Sequence, residues 1–551
     1  MTCVLRATAV RALAVALLVP LLAGCSAASA APGRPADLRA FEASGPGAPP
    51  GEATDPTPDP DPTSSPAPEA SPTPAPTPFA TPTPTPARVL VPLVPVTGFW
   101  STERSISRAS LAAAIAGAGQ RPRTVFVAAP DLAPLGAALG VRPGPNVRAV
   151  SPANVPAALA KAPDALGILR AGDVNPAVRA LAVGGVRLFG GARVRDLAAW
   201  PLLVAEPAGA VPSAFDPAAT WTLAAGGDVM LDREVHRLAV LEGRGADYPW
   251  DGGTARITAR SCCGYPGWEI VSGRRTGHAG AVRALLGGAD VALVNLEAPA
   301  PDAPTYHPTG YVFTMDPRLL AGVDRAGIDV VSLANNHIGN AGAAGVVQTV
   351  RNLDRRGIAH AGAGRNLAEA RRPAWLAAGG LRIAVLAYDG AGGRHATRTS
   401  PGAAPLRLDA MRVDIARARR TGADVVIVVP HWGREYTDAV TAEQRRVARG
   451  LVAAGADLVL GSHSHWAGPL ELVSGRLVVY SLGDLVFDLQ HDARTQQGVI
   501  AELTFAGRRL AQVELHPTLI LAASQPNLLD PAGGGNALLR QIEAASRRLS
   551  R

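Results

Sequence analysis

The sequence is poor in the residues that mark several common classes of protein. Four cysteines in 551 residues are too few for a disulfide scaffold, and aromatic residues make up only 4% of the chain. Lysine occurs once, at Lys161, so nearly all of the 53 basic residues are arginines, scattered in ones and twos. Without basic runs to hold a phosphate backbone, the net charge of +8 predicts no nucleic-acid partner. Beyond the N-terminus no apolar stretch is long enough to span a bilayer, which excludes a polytopic membrane protein.

The N-terminal segment has the order of charge and hydrophobicity that is typical of an export signal. Arg6 and Arg11 precede an apolar stretch at residues 12–22, which is too short to span a bilayer. The following Leu-Ala-Gly-Cys ends at Cys25 and resembles a bacterial lipobox, whose cysteine is lipid-modified after cleavage. An ordinary signal peptide with a chance cysteine is the alternative. The lipobox implies a signal peptide at residues 1–25 and a lipid anchor at the extracytoplasmic face of the cell membrane.

Composition divides the rest of the chain into four parts. Residues 26–88 are rich in Pro, Thr, Ala and Asp, which predicts a disordered, extended tether that buries no core. Residues 89–212 alternate strand-like and helical stretches and lack histidine, which predicts a small α/β domain with a binding, positioning or packing role. Residues 220–520 carry the candidate chemistry, and residues 521–551 are predicted to form a C-terminal helical tail.

Strand–helix alternation in residues 220–520 predicts a mostly parallel or mixed sheet that is covered by helices. Thr441 and Gln444 have the spacing of a capping box, which begins a helix. Polar residues follow almost every predicted strand, and active sites in open α/β sheets form beyond the carboxyl ends of strands. The candidates at these positions are Asp228, Glu297, Asn336, His337, His431, Arg434, His463 and His465.

The histidines and carboxylates among these residues indicate a metal site. Imidazole and carboxylate groups together are the usual ligands of Zn, Mn or Fe. A single such histidine is more often a hydrogen-bonded structural residue, but four of them beside Asp228 and Glu297 favour a shared metal site. If the segment from His463 to His465 is extended, both side chains point to one face, and one pocket can hold both. Two unrelated histidines in a polar loop are the alternative.

Residues 220–520, the second of the two predicted folded regions, contain six motifs. These motifs occur in the order in which the CapA family of capsule proteins has them. The motifs are Gly227-Asp228-Val229-Met230-Leu231, Asn295-Leu296-Glu297, Ala334-Asn335-Asn336-His337, His431-Trp432-Gly433-x-Glu435-Tyr436, Gly461-x-His463-x-His465 and Tyr480-Ser481-Leu482-Gly483-Asp484. The region therefore resembles that family, whose members take part in poly-γ-glutamate synthesis and export. The resemblance spans roughly half of the chain and does not extend to residues 89–212.

The CapA family in turn resembles the calcineurin-like metallophosphoesterases. That resemblance implies an α/β fold, a four-layer sandwich of two mixed sheets flanked by helices, with one or two divalent ions, Mn, Zn or Fe. The metal-site residues that match that superfamily are Asp228, Asn336, His431, His463 and His465, and Glu297, which stands near where it has a bridging aspartate, completes the candidate ligand set. His337 matches the histidine that protonates the leaving group. Met230 stands where the superfamily has a histidine ligand, and a thioether is a poor ligand for a hard divalent ion, so one metal position is predicted to be weak or absent.

These features leave three hypotheses about function. The first is a metal-dependent hydrolase acting outside the membrane on an amide or phosphoester, with His337 as general acid and Arg434 pairing with a substrate carboxylate or phosphate. For Arg434 a surface salt bridge is the alternative. The second is a lipid-anchored accessory protein that guides an anionic polymer such as poly-γ-glutamate, which the positive net charge favours. In the third, residues 89–212 sense a ligand and position the second region.

A capsule role implies a particular set of partners. They are the anionic polymer itself, the membrane through the lipid anchor, and the membrane proteins that synthesise and export the capsule.

Overall fold

The computed structural model describes residues 88–119, 123–207, 215–262 and 267–550. The predicted signal peptide, the lipid attachment at Cys25 and the predicted tether up to residue 87 lie outside these residues. All of the described residues belong to one compact unit. Across those four ranges, no helix combines the length and the apolar composition that crossing a membrane requires.

Residues 88–207 form a small layered region of strands and helices. Its elements are β1 (Arg88–Gly98), β2 (Ser105–Ile106), α1 (Arg108–Ala116), β3 (Val125–Val127), α2 (Leu132–Leu139), β4 (Val147–Ala149), α3 (Val155–Lys161), β5 (Leu166–Arg170), β6 (Val178–Ala180), β7 (Ala182–Val183) and β8 (Leu203–Pro207). The main sheet has the order β4-β3-β5-β1-β6, with β8 also paired to β1. Helix α1 begins where the Ser107 side chain accepts a hydrogen bond from the Ser110 amide, and it ends at Gly117, whose φ of +70° suits glycine.

The second region begins at β9 and contains the remaining elements. Its strands are β9 (Thr220–Val229), β10 (Thr254–Cys262), β11 (Glu269–Gly277), β12 (Val291–Leu296), β13 (Val330–Ser332), β14 (Ala359–Ala361), β15 (Ala363–Gly364), β16 (Ala374–Ala378), β17 (Leu381–Asp389), β18 (Gly402–Ala403), β19 (Val425–His431), β20 (Leu458–Leu460), β21 (Leu470–Val473), β22 (Arg476–Val479), β23 (Asp484–Val486), β24 (Gln497–Ala506), β25 (Arg509–Leu521) and β26 (Gln525–Leu529). Its helices are α4 (Arg233–His236), α5 (Ala281–Gly287), α6 (Leu320–Arg325), α7 (Gly342–Asp354), α8 (Leu367–Ala370), α9 (Leu408–Arg420), α10 (Ala442–Ala453) and α11 (Asn536–Leu549).

Two mixed sheets organise this region. The ten-stranded sheet has the order β11-β10-β26-β25-β24-β9-β12-β13-β14, with β23 also paired to β9. Strands β9, β12, β13 and β14 are parallel, whereas β24 and β25 are antiparallel neighbours. The six-stranded sheet has the order β16-β17-β19-β20-β22-β21, parallel in the middle and antiparallel at both edges.

The sheets face each other across an apolar core. Trp221 of β9 stacks on Phe505 of β24 at 4.2 Å between ring centroids, and Ile383 and Ile427 of the six-stranded sheet lie in the same core. Helices α5, α6 and α7 cover the outer face of the ten-stranded sheet, and α9 and α10 cover that of the six-stranded sheet. The region is therefore the four-layer sandwich of two mixed sheets that the resemblance implied.

Two local predictions have different outcomes. The capping box is confirmed. The Thr441 side chain accepts a hydrogen bond from the backbone N–H of Gln444, and the Gln444 side chain accepts one from the backbone N–H of Thr441. The helical tail predicted for residues 521–551 is wrong in its first part, because Gln525–Leu529 is strand β26. Its five residues include a proline and carry no strand pattern of their own; pairing with β25 and β10 orders them. Helix α11 then packs Ile542 into the core between the sheets.

The first region is fixed to the second by a buried ion cluster. Glu514 of β25 lies 2.8 Å from Arg104, 3.1 Å from Arg187 and 3.9 Å from Arg179, measured between side-chain oxygen and nitrogen. All three arginines belong to the first region. Burial alone would raise the pKa of Glu514, but the positive charges of His516 and the three arginines lower it to about 2. One carboxylate therefore compensates several cations across the contact.

We expect Glu514→Gln to destabilise the fold by about 3 kcal/mol, because it leaves the buried Arg179 and the partly exposed Arg104 and Arg187 without their counter-charge. Because the folded pKa of Glu514, about 2, lies below its ordinary value of 4.5, the carboxylate contributes fully above about pH 4.5. That contribution is lost as the pH falls towards 2. Chemical unfolding of the full chain between pH 3 and 7 measures both effects.

Glu443→Gln is the matched control, because the Glu443–Arg446 pair on α10 is exposed. It is expected to change stability little. Equal stability of the two variants at pH 7 would contradict the proposed importance of the buried cluster.

Candidate functional site

Strand register in the ten-stranded sheet aligns three polar side chains at one end of the sandwich. Asn295 of β12 and Asp484 of β23 both lie opposite Asp228 of β9. The Asn295 amide donates a hydrogen bond to the Asp228 carboxylate at 2.8 Å. The backbone of β9 approaches that of Gly483, directly before β23, so closely that position 227 must be glycine. A Cβ on Gly227 would lie 1.8 Å from the carbonyl oxygen of Gly483.

The six-stranded sheet supplies the histidines from its facing end. His431 is the last residue of β19, and His463 and His465 follow β20. Nδ1 of His463 lies 3.1 Å from Nε2 of His431, and the rings of His463 and His465 are 6.4 Å apart between centroids. Both sheets thus place their polar residues at the same end of the sandwich.

The segment from His463 to His465 is not extended, so the condition under which strand alternation would bring the two rings together is not met. Their φ angles are +98° and +58°, so turns, and not strand alternation, bring the two rings to one site. Such angles cost about 1–3 kcal/mol for each non-glycine residue and persist where the surroundings enforce them. The neighbouring Gly461 is part of that enforcement, because a Cβ there would lie 2.1 Å from the carbonyl oxygen of Tyr480.

Carboxylates and imidazoles converge in two groups that share Glu297. One group is Glu297, His431 and His463, and the other is Asp228, Glu297 and His465; within each, the candidate ligand atoms lie within 4.8 Å of one another. All five side chains are buried. Oε1 of Glu297 is buried and accepts no hydrogen bond from any residue that the structure describes. A buried acceptor without a donor is costly, and a cation bound beside this atom would remove that cost.

The protonation states of the cluster follow from its burial. Burial, reinforced by neighbouring carboxylates, raises the pKa of Glu297 well above its ordinary value, and burial raises that of Asp484 to about 7. Burial lowers the pKa of His463 to about 3 and that of His431 well below its ordinary value. For His465 burial acts in the same direction, but the Asp484 carboxylate 2.9 Å away outweighs it and raises the pKa to about 9.

The residues present fit a divalent cation. His431 and His463 are neutral, so each can offer a nitrogen lone pair, and the buried carboxyl groups of Asp228 and Glu297 can offer oxygen donors. Oxygen and imidazole donors together suit Zn, Mn or Fe. A bound cation would supply the partner that Glu297 Oε1 lacks and lower the pKa of the surrounding carboxyl groups.

Met230 is not part of this donor set. Its side chain is fully buried in the apolar core beneath the helices, and its sulfur accepts a hydrogen bond from the Asp232 amide at 3.1 Å. The position that the superfamily gives to a histidine ligand is thus occupied by a core residue.

Asn336 and His337 lie at the less buried side of the cluster. The amide oxygen of Asn336 lies 2.9 Å from Nε2 of His431, and its amide nitrogen lies 3.1 Å from Nε2 of His337. Nδ1 of His337 lies 3.0 Å from the side-chain oxygen of Asn340. An amide oxygen only accepts, so Nδ1 carries the hydrogen and Nε2 is the acceptor. Burial lowers the pKa of His337 to about 4, so this neutral form is the one present near pH 7.

Arg434 is the predicted site residue that the structure does not bring to the cluster. Its side chain is exposed and makes neither a hydrogen bond nor an ion pair with any described residue. It lines a small cavity together with Ser464 and Ser481. Its catalytic role stays a prediction.

Three residues of the site were not singled out from the sequence. Asn295 contacts Asp228, Asp484 contacts His465, and the Ser462 hydroxyl lies 2.9 Å from Nδ1 of His431. Asn295 and Asp484 belong to the quoted motifs, and their strand-end positions were the available signal. Ser462 lies beside His463 in sequence, but only the bridge between His431 and Ser462 brings it to the cluster.

Comparison with known proteins shows that the second region is similar to a family of capsule proteins. Residues 222–489 match the model of the family "Bacterial capsule synthesis protein PGA_cap". The capsule biosynthesis protein CapA of Bacillus anthracis is 30% identical over 225 residues, which are 40% of this chain and 54% of that protein. The PGA biosynthesis protein CapA of Bacillus subtilis (strain 168) is 31% identical over 34% of this chain and 50% of its own length. The chain spans about half the length of these curated relatives.

A solved structure of moderate coverage is also similar. The NAD nucleotidase NadN of Haemophilus influenzae aligns with 58% of this chain and 55% of its own, at 12% identity and a TM-score of 0.30. So distant a likeness supports no conclusion about function.

We expect the wild-type chain to bind a divalent metal and His463→Ala to bind it about 100-fold or more weakly. The imidazole is one of few neutral donors in the cluster, and alanine leaves no replacement. Elemental analysis and calorimetric titration with Mn and Zn measure content and affinity. His360→Ala is the control, because His360 lies on β14 and is bound to Asp354 away from the cluster. Equal metal content in both variants would refute the assignment.

Proposed function

We propose that this protein, whose residues 222–489 match the model of the bacterial capsule synthesis protein family PGA_cap, acts in poly-γ-glutamate capsule synthesis or export as a metal-dependent hydrolase. The observation that carries the hydrolase assignment is the buried Glu297 carboxylate. It belongs to both candidate ligand groups, and its Oε1 has no donor among the described residues. A purely structural cluster would be expected to satisfy this atom internally.

The proposed ligands of the cation are Asp228, Glu297, Asn336, His431, His463 and His465. A divalent Mn, Zn or Fe ion supplies a Lewis-acid charge that acidifies water and stabilises negative charge on the substrate. Asn295 fixes Asp228, and Ser462 fixes the orientation of His431. These contacts keep the donors in place before substrate arrives.

His337 is the proposed proton-transfer residue. Its side chain is 12% exposed, lies 4.0 Å from Oε1 of Glu297 and packs on the Phe313 ring. Asn340 fixes the tautomer in which Nε2 accepts, so the imidazole first takes a proton and then returns it to a leaving group. The general-acid role inferred from the resemblance thus requires a preceding proton uptake at Nε2.

The proposed substrate is the anionic polymer itself or an ester or amide attached to it. Relatives of this chain are named for capsule and PGA biosynthesis. A net charge of +8 attracts a polyanion to the surface. Membrane proteins of capsule synthesis and export are the proposed partners.

We expect His337→Gln to retain metal and to lower kcat by about 10²–10⁴-fold, because glutamine fills the space but cannot relay a proton. The assay uses the metal-loaded full chain with poly-γ-glutamate, a γ-glutamyl amide and an aryl phosphoester. His360→Gln controls for histidine removal at a distance. Metal-loaded wild-type protein that turns over none of these substrates would contradict the hydrolase proposal. Polymer binding without turnover would favour the accessory role instead.

We further propose that Cys25 carries a lipid that anchors the chain at the extracytoplasmic face of the membrane. The support is the Leu-Ala-Gly-Cys sequence after an apolar stretch of signal-peptide length. Cys25→Ala is expected to abolish incorporation of labelled lipid and to shift the protein out of the membrane fraction. Cys3→Ala is the matched control, and it should leave both unchanged. Labelling that survives Cys25→Ala would refute the anchor.

A further inference from the structure

Strands β10 and β11 form a two-stranded ribbon at the edge of the ten-stranded sheet. Strand β11 is the last strand of the sheet, and β10 pairs with β26 only at Thr254 and Ala255. One face of the ribbon packs Ala255 and Val271 on Leu519 and Leu529. Among the described residues, most of the remaining side chains of the ribbon are exposed, so a partner can reach them.

That outer face carries uncompensated positive charge. Arg256 and Arg274 lie directly opposite each other in the strand register, and both are exposed. Neither forms an ion pair or a hydrogen bond with a residue in the described part of the chain, whereas Arg260 pairs with Glu269 at 3.2 Å. Like charges directly opposite on a strand pair are destabilising. The ribbon therefore maintains two cations at a position where an anionic ligand would relieve their repulsion.

Aromatic contacts connect the ribbon with the metal cluster. Trp268, directly before β11, lies 5.7 Å from Tyr436 and 5.4 Å from His491 between ring centroids. Tyr436 stacks on the ring of His465 at 5.6 Å. A path of neighbouring rings thus leads from the base of β11 to a proposed metal ligand.

We propose that the outer face of the β10–β11 ribbon, defined by Arg256 and Arg274, binds a linear polyanion and holds it next to the cluster. The inference rests on the proposed function and adds a binding surface to it. An extended polymer with regularly spaced carboxylates complements two neighbouring guanidinium groups, each of which can hold a carboxylate bidentately. Trp268, whose ring contacts Tyr436 and His491, marks where the bound polymer passes from the ribbon towards the cluster.

The test compares two double variants of the metal-loaded full chain. Arg256→Gln with Arg274→Gln removes the ribbon charges, and Arg417→Gln with Arg420→Gln removes two exposed charges from α9, which covers the other sheet. The probe is poly-γ-glutamate of defined length at two salt concentrations, with uncharged dextran as the negative probe. We expect the ribbon variant to bind about three- to tenfold more weakly at low salt, and the α9 variant to bind like wild type.

Folding is controlled by thermal unfolding. The ribbon variant should unfold at the wild-type temperature or slightly above it, because the substitution removes two opposed like charges. A second variant, Trp268→Leu, should weaken polymer binding while leaving its salt dependence unchanged, since it removes no charge.

The outcomes separate this inference from the proposed function. The ribbon assignment alone is overturned if the ribbon variant binds the polymer with wild-type affinity. It is also overturned if polymer affinity falls equally in both double variants. Absence of polymer binding by the wild-type chain overturns the proposed polymer role and the ribbon assignment together. Another outcome is a ribbon variant with a lower mass in solution than the wild-type chain and an unchanged polymer affinity. That result would show that the wild-type chain self-associates through the ribbon. It would assign the face to a second copy of the chain and overturn the proposal.

Discussion

The burial of carboxylates at one end of the sandwich is the constraint on which the rest of the site depends. Asp228 lies at the end of β9, a strand paired on both sides, so its charge cannot reach water. The fold compensates it with the Asn295 amide and the backbone N–H of His463. That second bond requires the turn in which His463 takes a positive φ, so backbone strain and carboxylate burial are two parts of one arrangement. Among the described residues, the arrangement leaves two buried oxygens without a hydrogen-bond donor, Oε1 of Glu297 and Oδ2 of Asp484.

The first region is attached to the same sheet that carries the site. The backbone amides of Gly190 and Gly191 donate to Thr504 and Glu502 of β24, and β24 is the antiparallel neighbour of β9. The strand that receives these contacts, β24, is therefore directly paired with β9, the strand that carries Asp228. Rigid attachment of this kind favours a role in supporting the sheet over independent ligand sensing, because a sensor needs an element with two alternative positions.

Sequence patterns predicted a helix-covered sheet and most of the cluster for a physical reason, whereas the sandwich of two sheets was implied by the family resemblance alone. Apolar runs mark the strands, and polar residues directly after a strand must lie at its carboxyl end, where parallel neighbours bring them together. It failed where a position depends on tertiary contacts. The close approach of His463 and His465 depends on two positive φ angles, β26 depends on pairing with β25, and the attachment of the first region depends on Glu514 meeting three arginines. None of these leaves a periodic signal in the local sequence.

Donor spacing alone does not identify a metal site, as a second cluster in the same sheet shows. Glu502, Glu514 and His516 also bring their candidate ligand atoms within 4.8 Å of one another. Each of their carboxylates is already satisfied, Glu502 by His516 and by the amide of Gly191, and Glu514 by the arginines of the first region. A cation would there have to displace existing positive charge. At Glu297 it would instead meet a buried oxygen with no donor among the described residues and neutral imidazoles beside it. Charge balance therefore distinguishes the two clusters. The cluster of Glu502, Glu514 and His516 joins two parts of the fold, whereas the cluster around Glu297 is the one that we propose an ion completes.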